Sequence, residues 1–170
     1  MNIEEFKNKV LPTKNKLFRL AYLLLRDKEG AEDALQEVFL KLWMNRHKLH
    51  TYKSIDAFAL CITKNLCLDL LKQAGKKGKV VDLDLNTGFE DATPDRRYEV
   101  SDDIRKVRQL MRELPENQQL VLQLFDVDGC TFEEIAQVTG FTINNIRVLL
   151  SRARKQVRDR YIKLYSHEME

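Results

Sequence analysis

Apolar residues recur along the first seventy positions at three- and four-residue steps, the repeat of helices that each bury one face. Leu17, Leu20, Ala21 and Leu24 mark one stripe; Ala31, Ala34, Leu35, Val38 and Leu42 mark a second. A third runs through Ile55, Ala59, Ile62, Leu66 and Leu70. Before residue 73, Gly30 and Pro12 are the only helix breakers, and no strand-like alternation interrupts the pattern. Three stripes that face one another predict a compact helical bundle, with a short turn at Asp27 to Gly30 and a longer loop at Asn45 to Ser54.

From Ala74 the period is lost. The chain turns to AGKKGK and then to VDLDLNTGFEDATPDRRYEV, rich in Gly, Pro and Asp, which predicts a flexible acidic linker over 74–100. Helical punctuation resumes at Ser101, an N-cap with Asp102 and Asp103 placed against the positive end of the helix dipole. Pro115 opens the next helix, whose Leu120, Val121, Leu124 and Phe125 form its apolar face, and Gly129 ends it. Thr131 followed by Glu134 is a capping box ahead of Ile135, Ala136 and Val138. Gly140 supplies a residue free to take positive φ, and Thr142 can cap a further helix from Ile143. There Ile146, Leu150, Ala153, Val157, Tyr161 and Leu164 form one buried stripe, leaving Asn144, Arg147, Val148, Ser151 and Lys155 on the opposite face. A short apolar helix, a glycine turn and a longer basic helix make a helix-turn-helix. The fold expected is all-α: two small helical domains, 1–73 and 101–170, joined by the acidic linker.

Charge refines this picture. The formal net charge of +3 hides a segregation, with sixteen bases against nine acids in residues 1–79 and eight acids against two bases in 82–103. Residues 142–163 hold seven Lys or Arg against one acid, an excess that suits a phosphate backbone, although an ordinary solvated helix face has the same composition. No apolar run approaches the roughly 20 residues of a membrane span, and MNIEEFKNKV lacks the regions of a signal peptide, so no membrane insertion and a cytoplasmic location are expected. Cys61, Cys67 and Cys130 are an odd set without a CxxC pair, and His47 and His50 lack partners at ligand spacing. No cofactor is expected. No nucleophile, base and orienting group can be assembled into an enzyme site.

Two surfaces point to partners. On the second helix Asp33, Gln36, Glu37 and Leu40 lie opposite the buried stripe, a face that fits a basic protein helix, though a lone exposed leucine is common on any surface. Further on, Trp43, Tyr52 and Phe58 are interleaved with Arg46, His47, Lys48, His50, Lys53 and Lys64. Rings with cations suit single-stranded nucleic acid, and core packing explains Trp43 and Phe58 equally well.

With these residues in view, the chain resembles a bacterial RNA polymerase sigma factor of the sigma-70 family, in the extracytoplasmic-function (ECF) group. AEDALQEVFLKLW, Ala31 to Trp43, is similar to region 2.2, and AFALCITKNLCLDLLKQ to regions 2.3 and 2.4. LPENQQLVLQLFDVDGCTFEEIAQVTGFTINNIRVLLSRARKQVRD is similar to region 4. The resemblance implies a non-catalytic subunit that binds core RNA polymerase, directs it to promoters and assists melting. It places Asp33, Gln36, Glu37 and Leu40 against the beta-prime clamp helices. The second domain would meet the beta flap. It aligns the 45–54 loop and the helix from Ile55 to Lys72 with the part that holds the separated minus-ten strand, which makes Arg46, His50, Tyr52, Lys53, Lys64, Asn65 and Lys72 candidates.

The helix from Ile143, capped by Thr142, aligns with the reader of the minus-thirty-five element. The N-terminal residues of a major-groove helix meet base edges, so Asn144, Asn145, Arg147, Val148 and Ser151 are expected to read bases, and Arg152, Arg154, Lys155 and Arg158 to hold phosphates. The acidic linker would thread the channel that later carries RNA, as a polyanion mimic or simply as a solvated connection. Only Ser166 to Glu170 follow the region-4 segment, so regulation is expected from a separate anti-sigma factor.

Three positions depart from the family pattern: Leu149 where a cation is usual, Thr139 where the first helix of the motif is usually apolar, and Gln73 where an arginine pair usually ends the third helix. The rival readings are a self-contained transcriptional regulator, which leaves the Asp33 to Leu40 face unexplained, and a helical adaptor without DNA contact.

Overall fold

The computed structural model describes residues 1–75 and 101–169. The chain divides into two compact units, Met1–Arg96 and Arg97–Glu170. Among the described residues every regular element is helical, and no helix is long and apolar enough to cross a membrane. The acidic linker expected over 74–100 lies, from residue 76 on, outside the described residues.

The first unit begins with a helix the hydrophobic pattern did not announce, α1 (Ile3–Lys9). Seven residues are too few to show a stripe, but Asn2 and Glu5 form a capping box: Asn2 Oδ1 accepts from the Glu5 N–H at 2.8 Å, and Glu5 Oε2 accepts from the Asn2 N–H at 3.3 Å. Pro12 stands in a single 3-10 turn, Leu11–Thr13, that leads into α2 (Lys14–Leu25). Arg26, at φ 56°, closes α2 in the left-handed conformation, and Asp27 caps α3 (Lys28–Met44) through the Gly30 N–H at 3.1 Å. A Cβ on Gly30 would stand 2.8 Å from that carboxylate oxygen, so a larger residue there would push the Asp27 side chain aside.

After α3, within the longer connection expected at Asn45 to Ser54, residues Arg46–Thr51 form a 3-10 turn, closed by Thr51 Oγ1 donating to the Lys48 carbonyl at 2.6 Å. Ser54 caps α4 (Ile55–Gln73). The packed faces of α2, α3 and α4 bury Leu17, Phe18, Leu20, Ala21, Ala31, Ala34, Val38, Leu42, Ala59 and Leu60. Lys16 and Asp56, 2.6 Å apart, tie α2 to the start of α4.

The phase of α4 differs from expectation. Its buried residues are Ala57, Ala59, Leu60, Thr63, Leu66 and Cys67, while Ile55, Ile62 and Leu70 are half-exposed. Ala59 and Leu66 of the expected stripe are buried, but Ala57, Leu60, the polar Thr63 and Cys67, which the stripe left out, are buried with them, and the small residues allow α2 and α3 to approach closely. Thr63 is accommodated because its hydroxyl donates to the Ala59 carbonyl at 2.8 Å. Burial pushes the Cys67 thiol up to about 12 and raises Cys61 as well, the latter opposed by the charge of Lys64.

The second unit comprises α5 (Asp102–Arg112), α6 (Glu116–Leu122), α7 (Phe132–Thr139) and α8 (Ile143–Met169). Ser101 caps α5 as expected, accepting from the Ile104 N–H at 3.4 Å. Helix α6 runs on into one π-helical turn, Gln123–Val127, closed by the Asp128 N–H on the Gln123 carbonyl at 2.9 Å. Such a widened turn re-aims the side chains it carries. Val121, Leu124, Ile135, Ile146 and Ala153 are almost fully enclosed where α6 and α7 meet α8. The α8 stripe is shorter than expected: Ile146, Leu150 and Ala153 are buried, Val157 and Tyr161 half-buried, and Leu164 is 41% exposed.

Two expectations test these packing arguments. Phe6 meets the ring of Trp43 edge-on, 5.1 Å between centroids, and is 8% exposed. Phe6→Ala should lower the stability of the first unit by about 3 kcal/mol, read from denaturant unfolding by the fluorescence of Trp43, the sole tryptophan. Gly140 holds φ 77°. Gly140→Ala should cost the second unit about 1–2 kcal/mol, visible in the helical circular dichroism while the Trp43 transition stays in place.

Candidate nucleic-acid and docking surfaces

Burial of Ala31, Ala34, Leu35, Val38 and Leu42 leaves α3 one orientation, and at 3.6 residues per turn Asp33, Gln36, Glu37 and Leu40 emerge together on the far side. All four are exposed, Leu40 at 59%. Met44, one turn beyond Leu40 and 65% exposed, extends the apolar end of this face. It was missed from the sequence although its i+4 spacing from Leu40 announces it. Lys41 approaches Glu37 at 3.7 Å, an exposed pair that contributes little. The face is thus an acidic row ending in two exposed apolar side chains.

The second surface spans the 3-10 turn and α4. Tyr52 stacks on Phe58, with ring centroids 3.9 Å apart and planes 13° from parallel. Tyr52, His50 and Lys53 are exposed. Along α4 the spacing sets Lys64, Asn65 and Lys72 on one face with Leu68, and Asn65, Leu68 and Lys72 are exposed there while Lys64 is half-buried. Arg46 has a different setting. Its guanidinium lies 4.2 Å from the centroid of the Trp43 ring and donates to the Trp43 carbonyl at 3.0 Å, which ties it to the end of α3. Trp43 itself is held by Phe6, so it belongs to the packed edge of the bundle.

The third surface is the outer face of α8. Thr131 Oγ1 accepts from the Glu134 N–H at 3.1 Å, and Glu134 Oε1 accepts from the Thr131 N–H at 3.0 Å, the reciprocal cap that starts α7. The polar Thr139 at the end of α7 is buried and satisfied: its hydroxyl donates to the Ile135 carbonyl at 2.7 Å and accepts from the Phe141 N–H at 3.1 Å. It thereby helps to shape the turn at Gly140. Thr142 Oγ1 accepts from the Asn145 N–H at 3.1 Å and starts α8.

With Ile146, Leu150 and Ala153 inward, Asn144, Asn145, Arg147, Ser151, Arg152, Lys155 and Arg158 are exposed, and Val148 is 44% exposed. Leu149 is half-buried at the flank of this face. Arg154 is exposed as well, but its Nε and Nη2 donate to the two carboxylate oxygens of Asp126 at 2.9 and 2.5 Å. That fork raises the pKa of the guanidinium above its ordinary value. Arg160 likewise meets Glu113 at 3.3 Å, and the Tyr161 hydroxyl donates to Asp103 at 3.1 Å, which raises the Tyr161 pKa. Among the described residues, no group of three or more His, Cys, Asp or Glu side chains is placed to hold a metal ion.

Comparison with known proteins fits this layout. The family model for sigma-70 region 2 matches residues 10–77, and that for sigma-70 region 4 matches residues 104–157. The chain is 28% identical over 159 residues to the ECF RNA polymerase sigma factor SigE of Mycolicibacterium smegmatis, an alignment that covers 91% of this chain and 60% of that protein. It is 30% identical over 143 residues to the ECF RNA polymerase sigma factor SigM of Mycobacterium tuberculosis, covering 83% of this chain and 69% of that one. Among solved structures it is similar to the sigma factor RpoE of Bartonella quintana, crystallised in complex with the anti-sigma factor NepR. The TM-score is 0.71 at 22% identity, over 95% of this chain and 98% of that one. The exposed acidic face of α3 thus lies inside the region 2 match, the helix-turn-helix inside the region 4 match, and the chain belongs to the ECF group of the sigma-70 family of RNA polymerase sigma factors.

Proposed function

We propose that this ECF sigma factor binds core RNA polymerase, brings it to specific promoters and assists opening of the duplex there, with no catalytic step of its own. The observation that carries the reading is the outward basic face of α8 behind the Gly140 turn, inside the segment that matches sigma-70 region 4. A helix so placed suits the major groove, with its first turns toward base edges. In this reading Thr142, Asn144, Asn145, Arg147, Val148 and Ser151 meet the minus-thirty-five element, while Arg152, Lys155 and Arg158 hold phosphates.

Residues 1–73 form the domain that docks on core polymerase and holds the minus-ten strand, and 101–170 the domain that reads the upstream element. Asp33, Gln36, Glu37 and Leu40 face the beta-prime clamp helices: acids for the cations of a basic helix, Leu40 and Met44 for an apolar contact. The second domain also meets the beta flap. His50, Tyr52, Lys53, Lys64, Asn65 and Lys72 follow the separated strand, since the Tyr52–Phe58 pair offers a flat aromatic surface for an unstacked base beside cations for phosphates. Promoter DNA is the nucleic-acid partner, and an anti-sigma factor, as RpoE has in NepR, is the regulatory one.

Charge reversal at Asp33 and Glu37 together should lower affinity for core polymerase about tenfold or more while the helical circular dichroism is unchanged; equal affinity in a titration would rule out this docking face. In a promoter-library transcription assay, Arg147→Ala should alter the preference at one upstream base pair by about 1–3 kcal/mol. Arg158→Ala should instead weaken all promoters alike and reduce the salt slope by about one. Identical profiles for the two variants would refute that division of labour.

A further inference from the structure

The two arginines nearest α7 and the π turn, Arg147 and Arg154, stand two turns apart on one edge of α8, and each lies over a ring. The Arg147 guanidinium carbon is 5.5 Å from the centroid of Phe132, the first residue of α7, and that of Arg154 is 5.4 Å from the centroid of Phe125, in the π turn. The two rings stack on one another, 4.8 Å apart and 8° from parallel. Arg154, Phe125, Phe132 and Arg147 therefore form one continuous pile. Its ends differ: Arg154 is forked onto Asp126, beside Phe125, whereas Arg147 forms no ion pair among the described residues.

We propose that Phe132 is a positioning residue that sets promoter specificity: with Phe125 and the Asp126–Arg154 pair it forms a platform that holds Arg147 ready for its base before DNA arrives. The inference rests on the reading of α8 as the groove helix. An arginine free to sample many rotamers loses them on binding, and this loss weakens its hold on any base; a ring beneath the guanidinium removes part of that loss beforehand. The aromatic face leaves the edge N–H groups available for a guanine. The neutralised Arg154 serves the platform and not a phosphate, which reverses the role expected for it from the sequence.

Base preference measured with reconstituted holoenzyme on a promoter library tests this. Phe132→Leu should reduce discrimination about two- to fivefold, only at the base pair that Arg147→Ala identifies, whereas Phe132→Tyr retains it. The double variant Phe132→Leu with Arg147→Ala should match Arg147→Ala alone at that pair. Asp126→Ala loosens the platform from its exposed end without touching the core. It should lower discrimination at the same pair about twofold, while freeing Arg154 to steepen the salt dependence of binding.

The platform is overturned if Phe132→Leu leaves that preference unchanged, if it lowers preference equally at every position, if its effect adds to that of Arg147→Ala, or if Asp126→Ala changes nothing. If Arg147→Ala itself alters no base preference, the assignment of α8 as the base reader fails and the platform with it; loss of the Phe132 effect alone leaves that assignment standing.

Discussion

Burial of one stripe on each of two helices, α3 and α8, is the constraint on which the other features depend. Each fully enclosed leucine or isoleucine contributes about 1.5–3 kcal/mol, so Val38 and Leu42 in α3, and Ile146 and Leu150 in α8, fix the rotation of their helices far more firmly than any surface charge does. Once rotation is fixed, helical geometry leaves no choice about what faces out. Asp33, Gln36, Glu37 and Leu40 are presented because Ala34 and Val38 are not. The base-edge and phosphate candidates of α8 are presented because Ile146, Leu150 and Ala153 meet α6 and α7. A function that resides on exposed side chains is in this sense specified from the core.

What could be read directly from the sequence was whatever is decided within one or two helical turns. The caps at Ser101, Thr131 and Thr142 are local hydrogen bonds, and each stands where residue type and spacing place it. The outward faces of α3 and α8 follow from their own periodicity. The phase of α4 does so only in part: Ala59 and Leu66 are buried as their spacing has it, but Ala57, Leu60, Thr63 and Cys67 are buried by the approach of other helices, which the periodicity of α4 alone cannot register. Leu164 was expected inside but is 41% exposed, near the far end of α8. The π turn also escaped, since one residue too many in a helix has no signature in residue type.

The pairings within the functional surfaces were the least legible part. Asp126 and Arg154 are 28 positions apart, and nothing in either segment alone marks them as partners. Phe125 read as a core residue and Phe132 had no reading at all, yet their stack is the flank against which two arginines of α8 are set. Arg46, a candidate cation for nucleic acid, is set against the Trp43 ring and donates to its carbonyl, a pairing within the bundle that the sequence did not announce. For Arg154 and Arg46 the residue type was noticed and the partner was not.

These pairings change how the charge of α8 is to be understood. Seven Lys or Arg stand against one acid between residues 142 and 163, but that count takes no account of acids brought in by other helices. Asp126 neutralises Arg154 and Glu113 faces Arg160, so part of the formal excess is already answered within the unit. The bases without an ion pair among the described residues are Arg147, nearest the N-terminal turns, and Arg152, Lys155, Arg158 and Lys163 beyond it. A helix with fewer available cations gains less from nonspecific attraction to any duplex, since that attraction scales with the number of phosphates neutralised. If α8 lies in the groove as proposed, sequence preference would then depend more heavily on the few side chains directed at base edges, and ion pairs on the flank of that helix would do more than join elements: they would shift the balance of binding from charge toward readout.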